Sequence, residues 1–190
     1  MRRLGCLCAL SLLFGLAVSA QDGPKADVYL GYAYLQQTYG GILNNMNLNG
    51  GIGQVAFYPT RNVGIVGEFG GYEVRNVMGS PASGAEMSYL FGPRLTTSHG
   101  PLRFYVQALA GGAHLTSAYQ AELGTAYSNS LAVALGGGVD WNAGHHFAVR
   151  LGQFDFYLTR FDDGGGGGQF PPNRFLQGSF RYTGGIVFKF

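Results

Sequence analysis

The chain has 190 residues, a formal net charge of +2, only 12% charged residues, 14% aromatic residues and 33 glycines. Few charges with many aromatics exclude a disordered chain; the glycines follow no Gly-X-Y period, which excludes collagen. So small a charge excludes a nucleic-acid binder held by electrostatics, and the balance suits a chain whose outer surface is not in water.

Residues 1–20 read as a secretory signal peptide. Arg2 and Arg3 form a basic start, Leu4 to Val18 is almost wholly apolar, and Val18-Ser19-Ala20 is a small-residue cleavage site before Gln21. The apolar run is short for a spanning helix. Cleavage between Ala20 and Gln21 leaves residues 21–190 as one domain. It removes two of the 12 basic residues, so the mature chain is formally neutral against its 10 acidic ones. Both cysteines, Cys6 and Cys8, go with the leader. A disulfide framework, a thiol nucleophile and a Cys-ligated metal drop out with them.

The rest of the chain shows period two rather than helical periodicity. Residues 27–36 set Val28, Leu30, Tyr32 and Tyr34 on one face. In 50–58, Val55 and Phe57 oppose Gln54, and in 63–72, Val63, Ile65, Gly67 and Phe69 oppose Glu68. In 86–96, Tyr89, Phe91 and Leu95 oppose Ser88 and Arg94. In 102–113, Phe104, Val106, Ala108 and Ala110 oppose Arg103, Tyr105 and Gln107. In 129–141, Leu131, Val133, Leu135, Val139 and Trp141 oppose Asp140. In 146–158, Phe147, Val149 and Leu151 oppose Arg150. The last segment, 176–190, places Leu176, Phe180, Tyr182, Ile186, Phe188 and Phe190 opposite Gln177, Ser179, Arg181, Thr183 and Lys189.

Long gaps (37–49, 73–85, 114–128 and 159–175) alternate with short ones (59–62, 97–101 and 142–145). That alternation is expected of an antiparallel barrel with tight turns at one end and long loops at the other. Two places resist the pattern. Pro93 sits inside the fourth strand, which calls for a bulge or a nearby strand end. Gln153 and Asp155 share parity with Leu151, which calls for a switch of face near Gly152 or for a strand that has already left the bilayer.

Backbone groups in hydrocarbon must be bonded within the protein, so only helices and closed barrels span it. The expected fold is therefore all-β: a closed eight-stranded antiparallel up-and-down transmembrane β-barrel. Glu68, Arg94, Arg103, Asp140, Arg150, Arg181 and Lys189 fall on the polar parity, which such a barrel turns inward. A soluble lipocalin-like barrel would put that parity outward and needs far more surface charge. A buried charge without a partner is costly. Glu68 and Asp140 are thus expected to pair with arginines among Arg94, Arg103, Arg150 and Arg181, as a lumenal charge network. Gly53, Gly67, Gly92, Gly111, Gly136 and Gly138 are expected to make room for them in a narrow interior.

The C-terminus Thr183-Gly184-Gly185-Ile186-Val187-Phe188-Lys189-Phe190 resembles the outer-membrane assembly signal: a polar residue at Thr183, glycine at Gly185, then Phe188 and a terminal Phe190. Tyr89-Leu90-Phe91-Gly92-Pro93-Arg94 and Gly136-Gly137-Gly138-Val139-Asp140 are similar to strings of a porin-like branch. Residues 26–190 as a whole resemble the small eight-stranded OmpA/OmpX-type outer-membrane β-barrel family. The resemblance implies a Gram-negative outer membrane, periplasmic turns and outward loops. Its implied partners are outer-membrane lipid, lipopolysaccharide and the barrel assembly machinery, with no cofactor and an extracellular ligand unnamed by the sequence. The function expected is a structural or surface-interaction role through four long loops, the alternative being a narrow pore for ions or small solutes. A third reading is a lipid-modifying enzyme using His114 with Thr116, Ser117 and Glu122. Sequence proximity does not establish a nucleophile, base and orienting group, and the chain is read as no enzyme. His99, His145 and His146 lie in short turns, and the run Gly164 to Gly168 has no Lys-Ser/Thr to make a phosphate loop.

Overall fold

Apolar–polar alternation, with β-branched and aromatic residues on one parity, gives eight antiparallel strands in the computed structural model of the protein. The structure describes residues 26–38, 45–77, 80–117, 126–162 and 174–190. The strands are β1 Ala26–Thr38, β2 Asn45–Phe57, β3 Val63–Val77, β4 Ser80–His99, β5 Leu102–Ser117, β6 Ala126–Asn142, β7 Phe147–Asp162 and β8 Arg174–Lys189. Each pairs with its sequence neighbour and β8 returns to β1, so the barrel is closed. The seam runs from Asp27↔Lys189 to Gln37↔Ser179. Just beyond it, Ala26 and Phe190 exchange backbone bonds of 3.2 and 2.8 Å. No ladder edge remains to meet lipid.

The strands outrun the segments that the sequence marks. The long connection expected over 73–85 is not one: β3 continues to Val77 and β4 starts at Ser80. A change to polar side chains ends the lipid-facing stretch but not the strand, because ladder bonds join backbone groups whatever side chains they carry. Residues 39–44, 118–125 and 163–173 between the other strand pairs lie outside the described residues. At the opposite end the connections are short. Gly100, with φ at +59°, supplies the left-handed conformation that the two-residue turn between β4 and β5 needs.

The outward parity is a wall of exposed apolar side chains. Leu30, Val55, Phe69, Phe91, Val106, Leu131, Phe154 and Phe180 each stand more than half exposed, Phe154 at 69%. A contiguous apolar surface of this extent marks a membrane face rather than a water face. Phe57, Phe104, Trp141, Phe147 and Phe188 lie toward the short-turn end; Tyr32, Phe69, Tyr89, Phe91, Phe154, Phe156, Phe180 and Tyr182 lie farther along the wall. Cross-strand ring pairs tie β7 to β8: Phe147–Phe188 at 6.1 Å, Phe154–Tyr182 at 5.0 Å and Phe156–Phe180 at 5.5 Å.

Both irregular places have a local solution. Beside β8 the register passes from Arg150↔Gly185 to Gln153↔Thr183, and beside β6 from Asp140↔Arg150 to Val139↔Gly152. One extra residue on β7 makes a β-bulge at Leu151–Gly152, so Arg150 and Gln153 both face inward while Leu151 and Phe154 face out. The face switch near Gly152 is thus real. Pro93 needs neither a bulge nor a strand end. It pairs with Ile65 on β3, while the β4–β5 pairing lapses at Gly92 and Pro93 and resumes in the same register at Arg94↔Gln107. The missing donor is confined to one side of one strand.

Candidate functional site

The candidate site is the lumen. Among the described residues, ten charged side chains are buried: Asp27, Glu68, Glu86, Arg94, Arg103, Asp140, Arg150, Asp155, Arg181 and Lys189. All take the inward parity, and closure of the barrel brings together residues far apart in sequence. Arg103 lies 2.6 Å from Asp27 and 2.9 Å from Asp140. Arg150 donates to Asp140 through Nε at 2.8 Å. Farther along the barrel, Arg181 grips Glu68 at 2.6 and 3.1 Å and Asp155 at 2.9 and 2.7 Å. It also donates to the Tyr72 hydroxyl at 3.0 Å. Arg94 is placed differently from the other three arginines. Its hydrogen bonds run to Gln107 Oε1 at 3.1 and 2.6 Å and to Gln54 Oε1 at 2.6 Å.

Three glutamines join these groups, and their amides point the same way. Gln54 Oε1 accepts from Arg94 and from Arg150 (2.7 Å), while its Nε2 donates to Glu68 at 2.7 Å. Gln153 Oε1 accepts from Arg150 at 2.7 Å and from the Tyr105 hydroxyl at 2.7 Å, and its Nε2 donates to Asp155 at 2.7 Å. Gln107 accepts from Arg94 and donates to Asp155 at 3.4 Å. Each oxygen accepts from an arginine and each amide nitrogen donates to a carboxylate, and Gln54 Nε2 also reaches Gln153 Oε1 at 3.4 Å. The sequence offered only parity for these residues. Their shared role depends on register between strands that are distant in the chain.

Tyrosine rings fill the space beside the arginines. Arg150 stacks on Tyr29 at 3.9 Å and on Tyr105 at 4.6 Å, Arg94 on Tyr105 at 4.3 Å, and Arg103 on Tyr58 at 5.7 Å. A buried guanidinium over an aromatic face is an attractive pairing. The glycines serve these rings. A Cβ at Gly138 would run into the Tyr105 ring, one at Gly64 into Tyr58, and one at Gly70 into Tyr72. Of the glycines assigned to the interior from sequence, Gly92, Gly111, Gly136 and Gly138 are inward. Gly53 and Gly67 are not: they share the parity of Val55 and Ile65 and lie on the lipid face, with nothing within 4 Å of a Cβ at Gly67.

At the C-terminus, Phe188 and Phe190 are exposed on the outer face, Thr183 is buried, and Gly185 abuts the Leu30–Gly31 backbone. Lys189 turns inward and donates to Asn142 Oδ1 and to the Gly144 carbonyl, both at 3.0 Å. His114 lies on the outward parity of β5, its Nδ1 2.7 Å from Asn129 Oδ1. Glu122, the Ala20–Gln21 cleavage site and the glycines 164–168 lie outside the described residues.

No family model matches the sequence, and no curated protein matches it. Solved structures do. Neisserial surface protein A superposes with a TM-score of 0.65 at 11% identity, covering 90% of this chain and 100% of that one. Ail, the attachment invasion locus protein of Yersinia pestis, gives 0.56 at 17% identity over 88% of this chain and 99% of its own. The N-terminal β-barrel domain of Pseudomonas aeruginosa OprF gives 0.55 at 13% identity over 89% and 100%. At these identities the likeness is one of architecture: the chain has the fold of the small eight-stranded outer-membrane barrels.

Proposed function

We propose that the protein is an integral outer-membrane β-barrel with a closed lumen, acting structurally or as a surface-interaction protein through the end remote from its termini. The observation that carries the closed lumen is an unbroken chain of bonded side chains through the interior. It runs Asp27–Arg103–Asp140–Arg150–Gln153–Asp155–Arg181–Glu68, with every step at 2.9 Å or less. Eight strands leave an interior only wide enough for side chains, and here those side chains bond one another. This favours a plug over a narrow pore. The apolar wall would sit among outer-membrane lipid and lipopolysaccharide, with the termini and short turns on the periplasmic side. Thr183, Gly185, Phe188 and Phe190 would serve as the signal read by the barrel assembly machinery. A surface role draws support from the likeness to Ail, whose structure is also known with the heparin analogue sucrose octasulfate.

Planar-bilayer recording tests the closed lumen. Wild-type protein, shown to be folded by a shift in gel mobility on boiling, should give no channel steps. Regular steps from folded protein would replace this reading with the pore.

A further inference from the structure

The buried charges are not mixed evenly along the barrel. On the side of the termini lie four cations (Arg94, Arg103, Arg150 and Lys189) and two carboxylates (Asp27 and Asp140). On the other side lie one cation (Arg181) and three carboxylates (Glu68, Glu86 and Asp155). The formal balance is two positive charges in one half and two negative in the other. Between the halves stand Gln54, Gln107 and Gln153, each bonded to arginine through oxygen and to carboxylate through nitrogen.

We propose that these three glutamines form the permeation barrier of a bipolar lumen. The inference rests on the closed-barrel reading and deepens it by naming the residues that decide whether ions pass. Two features single out the glutamine layer. Its members carry no charge, so when Gln54 and Gln153 are shortened Glu68, Asp140 and Asp155 keep their arginines and Arg94 keeps Gln107. The layer also sits where the sign of the fixed charge changes. An amide dipole there satisfies both neighbours without the two halves having to meet. A cation arriving from the terminal side meets a net positive field, and an anion arriving from the other side meets a net negative one. The closed state thus excludes ions of either sign.

Shortening the glutamines should open a water-filled gap between two oppositely charged segments. Such a path conducts unequally in the two directions. Anions gather in the positive half and cations in the negative half. Both are driven into the junction when the compartment at the remote end is held positive, and drawn out of it when the field is reversed.

The test is planar-bilayer recording in potassium chloride of Gln54→Ser/Gln153→Ser and, separately, of Gln153→Ala, beside wild type. All are inserted with one orientation and checked for the mobility shift on boiling. The expected result is a silent wild type and variants whose current is clearly larger with the remote compartment positive than with it negative. Silent wild type with ohmic steps in the variants would overturn the bipolar assignment. Silence in the folded variants would overturn the barrier role. Steps in wild type as large as those in the variants would overturn the barrier role together with the closed-lumen reading.

Discussion

At the scale of the residue, Arg181 is the most heavily committed side chain of the lumen. It is buried and holds Glu68, Asp155 and Tyr72 at once. Replacing it with methionine leaves two carboxylates in the interior with their main counter-charge gone. We predict that Arg181→Met loses about 3–5 kcal/mol in urea unfolding from lipid vesicles. Lysine at the same position should restore only part of this, because an ammonium cannot reproduce the forked bonds to two carboxylates. A loss no greater than that of an exposed substitution would show that the pairs are not formed in the membrane. The pairing residues Glu68, Asp140 and the arginines stand out in the sequence because charge on a strand between small and apolar residues is conspicuous. Gln54, Gln107 and Gln153 do not, since an uncharged inward residue looks like ordinary polar filler until the register sets three of them side by side. The expectation that Gly53 and Gly67 face inward runs against strand parity, which already sets Gly53 with Val55 and Gly67 with Ile65 and Phe69, opposite Gln54 and Glu68.

At the scale of the element, β7 shows how one residue re-aims a strand. The bulge at Leu151–Gly152 breaks the ladder on the lipid-facing side, where an unbonded backbone carbonyl is costly. The Tyr182 hydroxyl donates to the Leu151 carbonyl at 3.2 Å and satisfies it. Tyr182→Phe keeps the ring against Phe154 and removes that bond, so it should cost about 1–3 kcal/mol in the same unfolding experiment. An unchanged midpoint would mean that the carbonyl finds another donor. The face switch was legible from the parity of Gln153 and Asp155, but its mechanism was not, because a bulge is a relation between two strands. The short β3–β4 connection was not legible either: Glu73 and Arg75 read as loop, yet they extend the ladder beyond the apolar belt. The closing strand carries its own prediction. Phe190 is largely exposed beside the seam with β1, so deleting it removes little side-chain packing, the two backbone bonds to Ala26 beyond the last ladder pair, and much of the proposed assembly signal. The deletion variant should reach the outer-membrane fraction at a clearly reduced level while refolding normally from urea in vitro. Unchanged membrane insertion in cells would remove the signal role.

At the scale of the whole molecule, the governing fact is inversion, with a wall of exposed apolar side chains outside and the buried charges inside, beside an inward apolar cluster that includes Leu35, Leu48, Ile52, Leu90 and Leu109. The closed eight-stranded architecture, the strand count and the inward parity of the charges all followed from period-two patterning with too few charges for a wet surface. What surface the molecule meets beyond the membrane did not follow, because loops carry no periodicity to read. The most direct measurement uses the absence of cysteine after Cys8, which allows single labels throughout the barrel. Spin labels placed one at a time along β7 and β8 in lipid bilayers should show collision with dissolved oxygen rising and falling with period two. Maxima are predicted at Phe180, Tyr182, Ile186 and Phe188, and at Phe154 and Phe156, with the phase reversing across Gly152. Oxygen accessibility without alternation, or with its maxima at Gln153, Asp155 and Arg181, would contradict the inverted barrel.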